Sequence, residues 1–291
     1  MLKFSLITPS RSRISKIKRL INSVKKNSKN LSRIELVMFL DVDDPMINQY
    51  KKISDKKIKI KKVFTHNKMV TMGKMIDTTC INSSGDYLVY INDDAYIKTK
   101  NWDLKLSKVI KKNSWFSVFY MNDGFQGSKC LSWPVYSKKI HLISKKMCPH
   151  YYMGHFLDIH IKDVFKRLEY LTKKKLCFYV NNIVFYHTHP LLGNSKSDDV
   201  YERRMAGNKY GGNLFLANYL DREEAAKKIF SFLKKTKTNE IAKSKYKKQF
   251  NLIDFFKSTL FSKTPWHWRL YLTLFFILIF LSNIKRKIVQ N

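Results

Sequence analysis

Three short clusters carry residues with chemistry to offer: Pro9-Ser10-Arg11-Ser12-Arg13, Asp41-Val42-Asp43-Asp44 and Asn92-Asp93-Asp94. Each closes an apolar run of strand character, "KFSLITPS", "IELVMFLDVDD" and "YLVYINDD". The first cluster is cationic and the other two are acidic. Carboxylate oxygens suit Mg²⁺ or Mn²⁺ in a hard, partly hydrated shell, and arginine forks suit phosphate. Adjacent acids repel, and a bound cation removes that cost. A further group, His187-Thr188-His189-Pro190, ends another apolar run, "LCFYVNNIVFYHTHP". Histidines two apart on a strand face the same side, where one can complete a metal shell or touch a diphosphate. Together these residues read as diphosphate-and-metal chemistry. Hydride transfer has no support, because the chain contains no Gly-rich dinucleotide fingerprint, and a Walker-type phosphate loop is missing too.

The elements that position these clusters are legible from periodicity. "SKIKRLINSVKKNS" puts Ile14, Ile17, Leu20, Ile21 and Val24 at the spacing of one helical face. "KIKIKKVFTH" alternates as an edge strand does, and "MGKMIDTTCINSSGD" reads as a helix with a polar last turn. Strand, helix, strand, strand, helix, strand within 95 residues is an α/β pattern with a mostly parallel sheet. Strands apolar on both faces need helices on both sides. In such sheets functional residues gather at the carboxyl ends of strands, where loops open a crevice. Residues 114–190 are less regular, but "YYMGHFLDIHIKDVFKRLEYL" predicts a helix with apolar positions Ile159, Ile161, Val164, Phe165 and Leu168.

Composition sets the outer limits. Hydrophobic residues are 44% of the 291 and aromatics 14%, which excludes a disordered chain. Lys and Arg number 56 against 22 Asp and Glu, a net charge of +34 that favours anionic partners. The lysines are spread along the whole chain beside abundant Asn and Ile, as a coding bias towards A and T produces, so the charge alone names no partner. Cys80, Cys130, Cys148 and Cys177 share no metal-type spacing and are expected to be reduced, buried thiols of a cytosolic protein. "MLKFSLITPSR" has no long apolar region behind a basic one and is expected to be a first strand, not a secretory signal.

The order of the segments resembles the GT-A-type nucleotide-sugar glycosyltransferases, the family 2 group in particular. The resemblance runs over residues 2–200 and rests on "SLITPSRSR", "VMFLDVDD", "SSGDYLVYINDD", "DAYIKTKNWDLKL", "PVYSKK", "GHFLDIHIKDVF" and "FYHTHP" in that order. It implies an α/β, Rossmann-like mostly parallel sheet flanked by helices, with a catalytic domain over 1–215. Residues 1–100 would form the nucleotide-sugar half and 101–215 the acceptor half. Within the first half, Pro9, Arg11, Arg13, Asp41, Asp43 and Asp93 would hold the nucleotide sugar. Asp94, at the second Asp of the family's D-x-D motif, would bind Mn²⁺ or Mg²⁺ with His187 or His189. One departure matters: Asn92 stands where the first Asp of D-x-D belongs, which leaves open how the acids share the metal. Asp158, at the start of the acceptor helix, would be the base that activates the incoming hydroxyl, with inversion, and Asp163 is the lesser candidate. Trp102 and Asp103 are expected to be packing and a helix cap, while Trp133, Asp123 and Gly124 are candidates to shape the acceptor pocket.

Beyond residue 215 the composition changes. Residues 216–265 form a Lys-rich helical extension, and 266–291 a hydrophobic helix with the basic flank Lys285-Arg286-Lys287. Trp266, Trp268 and Tyr271 resemble an interfacial belt, and the run is shorter than the roughly 20 residues of an ordinary span. The helix is expected to lie on an anionic membrane surface on the cytoplasmic side, or else to be a buried core or dimer helix. The combined expectation is a membrane-associated transferase moving a sugar from a nucleotide diphosphate sugar to a glycan, lipid-linked or protein acceptor. Three alternatives stay open. A basic nucleic-acid binder would put acids in the crevice where its anionic strand must lie. A sugar nucleotidyltransferase would want a Gly-rich phosphate loop, and Asn92 keeps an inactive homologue in play.

Overall fold

The computed structural model describes residues 2–65, 70–188, 190, 193, 197–202, 210–236 and 245–290, with side chains of the last helix described as far as 282. The first half runs β1 (Phe4–Ser10), α1 (Ile14–Asn27), β2 (Ile34–Asp41), α2 (Ile47–Lys52), β3 (Lys59–Thr65), α3 (Met72–Asn82) and β4 (Tyr87–Tyr90). β1 pairs in parallel with β2 and β4, and β2 pairs in parallel with β3, which forms the sheet edge. β1, β2 and β4 are buried almost end to end, whereas β3 is mostly half-exposed. The period-2 geometry sends Val37 of β2 into one core and its neighbours Leu36 and Met38 into the other, against α1. α1 buries the five apolar side chains that its periodicity selects.

Two residues explain why β4 must begin with Gly-Asp. A Cβ on Gly85 would lie 2.5 Å from Ser5 Oγ and 2.7 Å from the Ser5 nitrogen of β1, so only glycine lets the strands approach. Asp86 accepts the Lys3 N–H at 2.9 Å. Beneath them buried Glu35 accepts the hydroxyls of Ser5 and Ser84, both at 2.6 Å, so a charge inside the sheet is answered.

The second half adds β5 (Ala95–Ile97), α4 (Trp102–Lys111), β6 (Val118–Asn122), β7 (Pro134–Ser137), α5 (Lys138–Ser144), α6 (Leu157–Thr172) and β8 (Cys177–His187). β7 runs antiparallel between β4 and β6, β6 is parallel to β8, and β5 closes the edge antiparallel to β8. The eight-stranded sheet has the order β3-β2-β1-β4-β7-β6-β8-β5. Trp102 packs as expected, fully buried, but Asp103 caps no helix of its own. Its carboxylate accepts the N–H groups of Lys29 and Asn30, both at 2.9 Å, beyond the end of α1.

From residue 211 on, the described residues form the helices α7 (Gly211–Ala217), α8 (Tyr219–Lys234), α9 (Leu252–Ser258) and α10 (Trp266–Gln290). Their apolar faces share one core with α5 and α6, through Phe215, Ala225, Ile229, Phe255, Trp268, Leu272 and Phe276. The fastening is electrostatic as well as apolar. Fully buried Asp163 on α6 receives Arg167 Nε at 2.8 Å, Arg222 Nε at 2.7 Å and Trp268 Nε1 at 2.7 Å. A carboxylate so committed is no acceptor-side base. Among the described residues no helix is long and apolar enough to cross a membrane.

Candidate active site

The loop after β1 is built so that two arginines diverge. Ser12 has a left-handed φ of 55°, and Asp44 holds the turn by accepting Ser12 N–H at 2.8 Å and Ser12 Oγ at 3.1 Å. Arg11 then reaches the end of β2, with Nη1 3.1 Å from Asp41 and 2.7 Å from Asp43. Arg13 turns the other way, with Nη1 3.0 Å from Asp93 and 3.8 Å from Asp94 beyond β4. Asp198 grips the rest of the same guanidinium at 2.9 and 2.5 Å and also binds Lys16 at 2.8 Å. Buried Tyr50 donates its hydroxyl to Ser10 Oγ (2.7 Å) and accepts the Arg13 N–H (3.0 Å), and Ser10 Oγ in turn donates to Asp93 at 2.7 Å.

The adjacent acids at 93 and 94 therefore do different things. Asp93 is buried and tied to Ser10 and Arg13. Burial raises its carboxyl pKa to about 6, with Arg13 opposing the rise and Asp94 adding to it. Burial works against the Arg13 charge, but Asp93, Asp198 and Asp94 outweigh it and hold the guanidinium above its ordinary range. Asp94 faces β8. Because Ala95 pairs with His187 across the antiparallel β5–β8 ladder, Asp94 Oδ1 comes within 3.4 Å of His187 Nε2. Thr188 and Arg19 clamp the Asp94 carbonyl, with Thr188 N at 3.1 Å and Arg19 Nη2 at 3.1 Å. The His187 ring sits edge-on to Trp133 at 5.0 Å.

This donor set can be tested for a divalent cation. Three carboxylates, Asp93, Asp94 and Asp198, gather here around Arg13 and Lys16, and Arg19 stands against the Asp94 carbonyl. Among the described residues no three metal-ligating side chains gather into a cage. One carboxylate and one imidazole beside a basic loop fit Mn²⁺ or Mg²⁺, which take much of their shell from substrate phosphates and water. His189 lies outside the described residues.

Asp158 sits in the first turn of α6, partly exposed, and accepts the Cys130 thiol at 3.0 Å. Burial, and then Asp158, push the Cys130 pKa far up, so that sulfur stays a protonated donor. Asp123 accepts N–H groups of Phe125 (2.9 Å) and Gln126 (2.8 Å) and the Ser132 hydroxyl (2.8 Å), which shapes the 123–133 loop and leaves its carboxylate occupied. Trp133 (φ 50°) and Phe156 (φ 71°), just before β7 and α6, adopt the left-handed backbone that costs a non-glycine residue energy. Three groups escaped the sequence reading: Tyr50, Arg19 and Asp198. Each is remote in sequence from the group it orients, and none lies in a motif.

The arrangement defines a class: a GT-A-type α/β fold with carboxylates, arginines and an imidazole at the carboxyl ends of the strands. Solved structures bear out the fold. TarS of S. aureus superposes with a TM-score of 0.55 at 14% identity, over 80% of this chain and 43% of that one, so this chain spans less than half of that protein. A TarS 1–349 structure in complex with UDP gives 0.51 at 14% identity, over 86% and 97% of the two chains. The mannosyltransferase PcManGT from Pyrobaculum calidifontis, in complex with GDP-Man and Mn²⁺, gives 0.50 at 8% identity, over 81% and 76%. No protein-family model matches the sequence, and no curated protein matches it either.

Proposed function

We propose that the protein is a glycosyltransferase that moves a sugar from a nucleoside diphosphate sugar to a hydroxyl of a glycan, lipid-linked or protein acceptor. The observation that supports this best is the meeting of Asp94 with His187 beside Arg13 at the strand ends of a GT-A-type sheet. Pro9, Arg11, Arg13, Asp41 and Asp43 surround the nucleotide, and Asp93 contributes by fixing Arg13. Asp94 and His187, with His189 as the further candidate, hold Mn²⁺ or Mg²⁺. When bound, such a cation neutralises the charge that the diphosphate gains. Arg13 lies on the same corner and adds a fixed positive charge at the same place.

On the acceptor side, Asp158 takes the proton as the acceptor O–H bond breaks. The freed oxygen pair forms the new bond to the anomeric carbon, and the sugar–diphosphate bond breaks with its electrons going to the diphosphate. Attack from the face opposite the leaving group inverts the anomeric centre. Thermal melting with UDP or GDP, with and without Mn²⁺, tests the donor assignment. A rise in Tm that needs both ligands and vanishes in Asp94→Ala supports it, whereas equal stabilisation of that variant refutes the Asp94 assignment. A screen of nucleotide-sugar hydrolysis then identifies the donor.

A further inference from the structure

α10 is apolar on two opposite faces, and the fold uses only one of them. Trp268, Leu272 and Phe276 point inward and are 4%, 0% and 1% exposed. Trp266, Leu270, Leu274, Ile277, Leu278 and Leu281 recur at helical spacing on the opposite side, and each is at least 40% exposed, Trp266 reaching 69%. α9 and the turn after it extend this surface with Leu252, Ile253 and Phe261, between 61% and 69% exposed. Ordinary soluble surfaces scatter such side chains singly, and a continuous stripe marks a contact.

Charge indicates the occupant. Residues 245–291 contain nine Lys or Arg and a single acid, Asp254. That acid is buried, capping α9 through Asn251 and paired with Lys247 at 2.9 Å, so it offers nothing outward. Lys248, Lys257 and Lys263 are exposed around the stripe, and Lys285-Arg286-Lys287 follow it in sequence. A second copy would bring cation against cation. An anionic bilayer would meet the apolar stripe with its acyl boundary, the aromatic rings with its headgroup level and the lysines with its phosphates. Because the inner face is already committed to Phe156, Phe215 and Asp163, the helix must lie flat.

We propose that the outer face of α9 and α10 docks the protein in the plane of an anionic lipid surface. The assignment stands apart from the transferase reading, because it rests on no residue of the crevice. Sedimentation of the full chain with vesicles tests it, using phosphatidylcholine alone and phosphatidylcholine mixed with phosphatidylglycerol. Binding is expected to the anionic vesicles, to weaken with salt, and to fall at least about tenfold in Leu274→Glu/Leu278→Glu with Tm unchanged. Wild-type protein that binds no vesicle, or a variant that binds as well as wild type, overturns the proposal. So does a dimer, seen by light scattering, that the same pair of substitutions dissolves, because the face would then belong to a second copy.

Discussion

Two buried aspartates, Asp163 on α6 and Asp93 after β4, are built from the same parts and behave in opposite ways. Asp163 receives two guanidinium groups and an indole N–H; burial pushes its carboxyl upward, but Arg167 and Arg222 hold it below the usual range. Asp93 has one guanidinium, shared with Asp94 and Asp198, and burial raises its carboxyl to about 6. The first corner is closed: it fastens the C-terminal helices to α6. The second gathers three carboxylates around Arg13 at the carboxyl ends of the strands. Carboxylates gathered at strand ends suit a ligand site, which is why the proposed metal is placed there, whereas Asp163 serves as a bolt.

The largest effect expected from this contrast is at the bolt. Asp163→Ala strands Arg167 and Arg222 in the core and is expected to cost about 3–5 kcal/mol in denaturant unfolding. Asp94→Ala should leave unfolding nearly unchanged and yet reduce turnover by about a thousandfold or more, with the Mn²⁺-dependent rise in Tm lost. Comparable unfolding curves for the two variants would erase the distinction between the corners. Asp158→Asn is expected to lower turnover by about a hundredfold or more while nucleotide and metal still stabilise the fold, which separates proton transfer from binding. Chelation by EDTA should mimic Asp94→Ala in wild type and change nothing in that variant.

The smallest effect sharpens the closed corner. His160, buried near Arg222, donates from Nε2 to the Lys146 carbonyl at 2.8 Å and accepts from Tyr152 at 3.3 Å through Nδ1. Burial, and then Arg222, lower its pKa to about 3. Between that value and the ordinary value near 6.5 the unfolded chain binds a proton that the folded chain refuses. Its contribution is therefore intact above about pH 6.5 and is lost as pH falls, by about 1.4 kcal/mol per unit. The difference in unfolding free energy between wild type and His160→Gln, followed from pH 7 to 4, should carry that slope; the difference isolates it from Asp93, whose raised pKa acts with the opposite sign over the same range.

Much of the first half was readable because its signals are local. The spacing of Ile14, Ile17, Leu20, Ile21 and Val24 defines α1, and the apolar runs before Pro9, Asp41 and Asn92 become three adjacent parallel strands. Their acids and arginines then fall at one edge because parallel strands share a carboxyl end. The tail was readable only as a choice. Its all-round apolarity fits a buried helix and a surface helix equally, and α10 turns out to bury one face and present the other.

What the chain alone determined is the set of parts and their order along it: an α/β sheet, basic and acidic strand ends, and a late imidazole strand. The tertiary structure decided the pairings. Arg11 goes to Asp41 and Asp43 while Arg13 goes to Asp93 and Asp198, and Asp94 meets His187 because Ala95 and His187 share a rung. Which guanidinium or imidazole each carboxylate meets depends on distances of a few ångströms between residues up to 185 positions apart, and no local pattern encodes those.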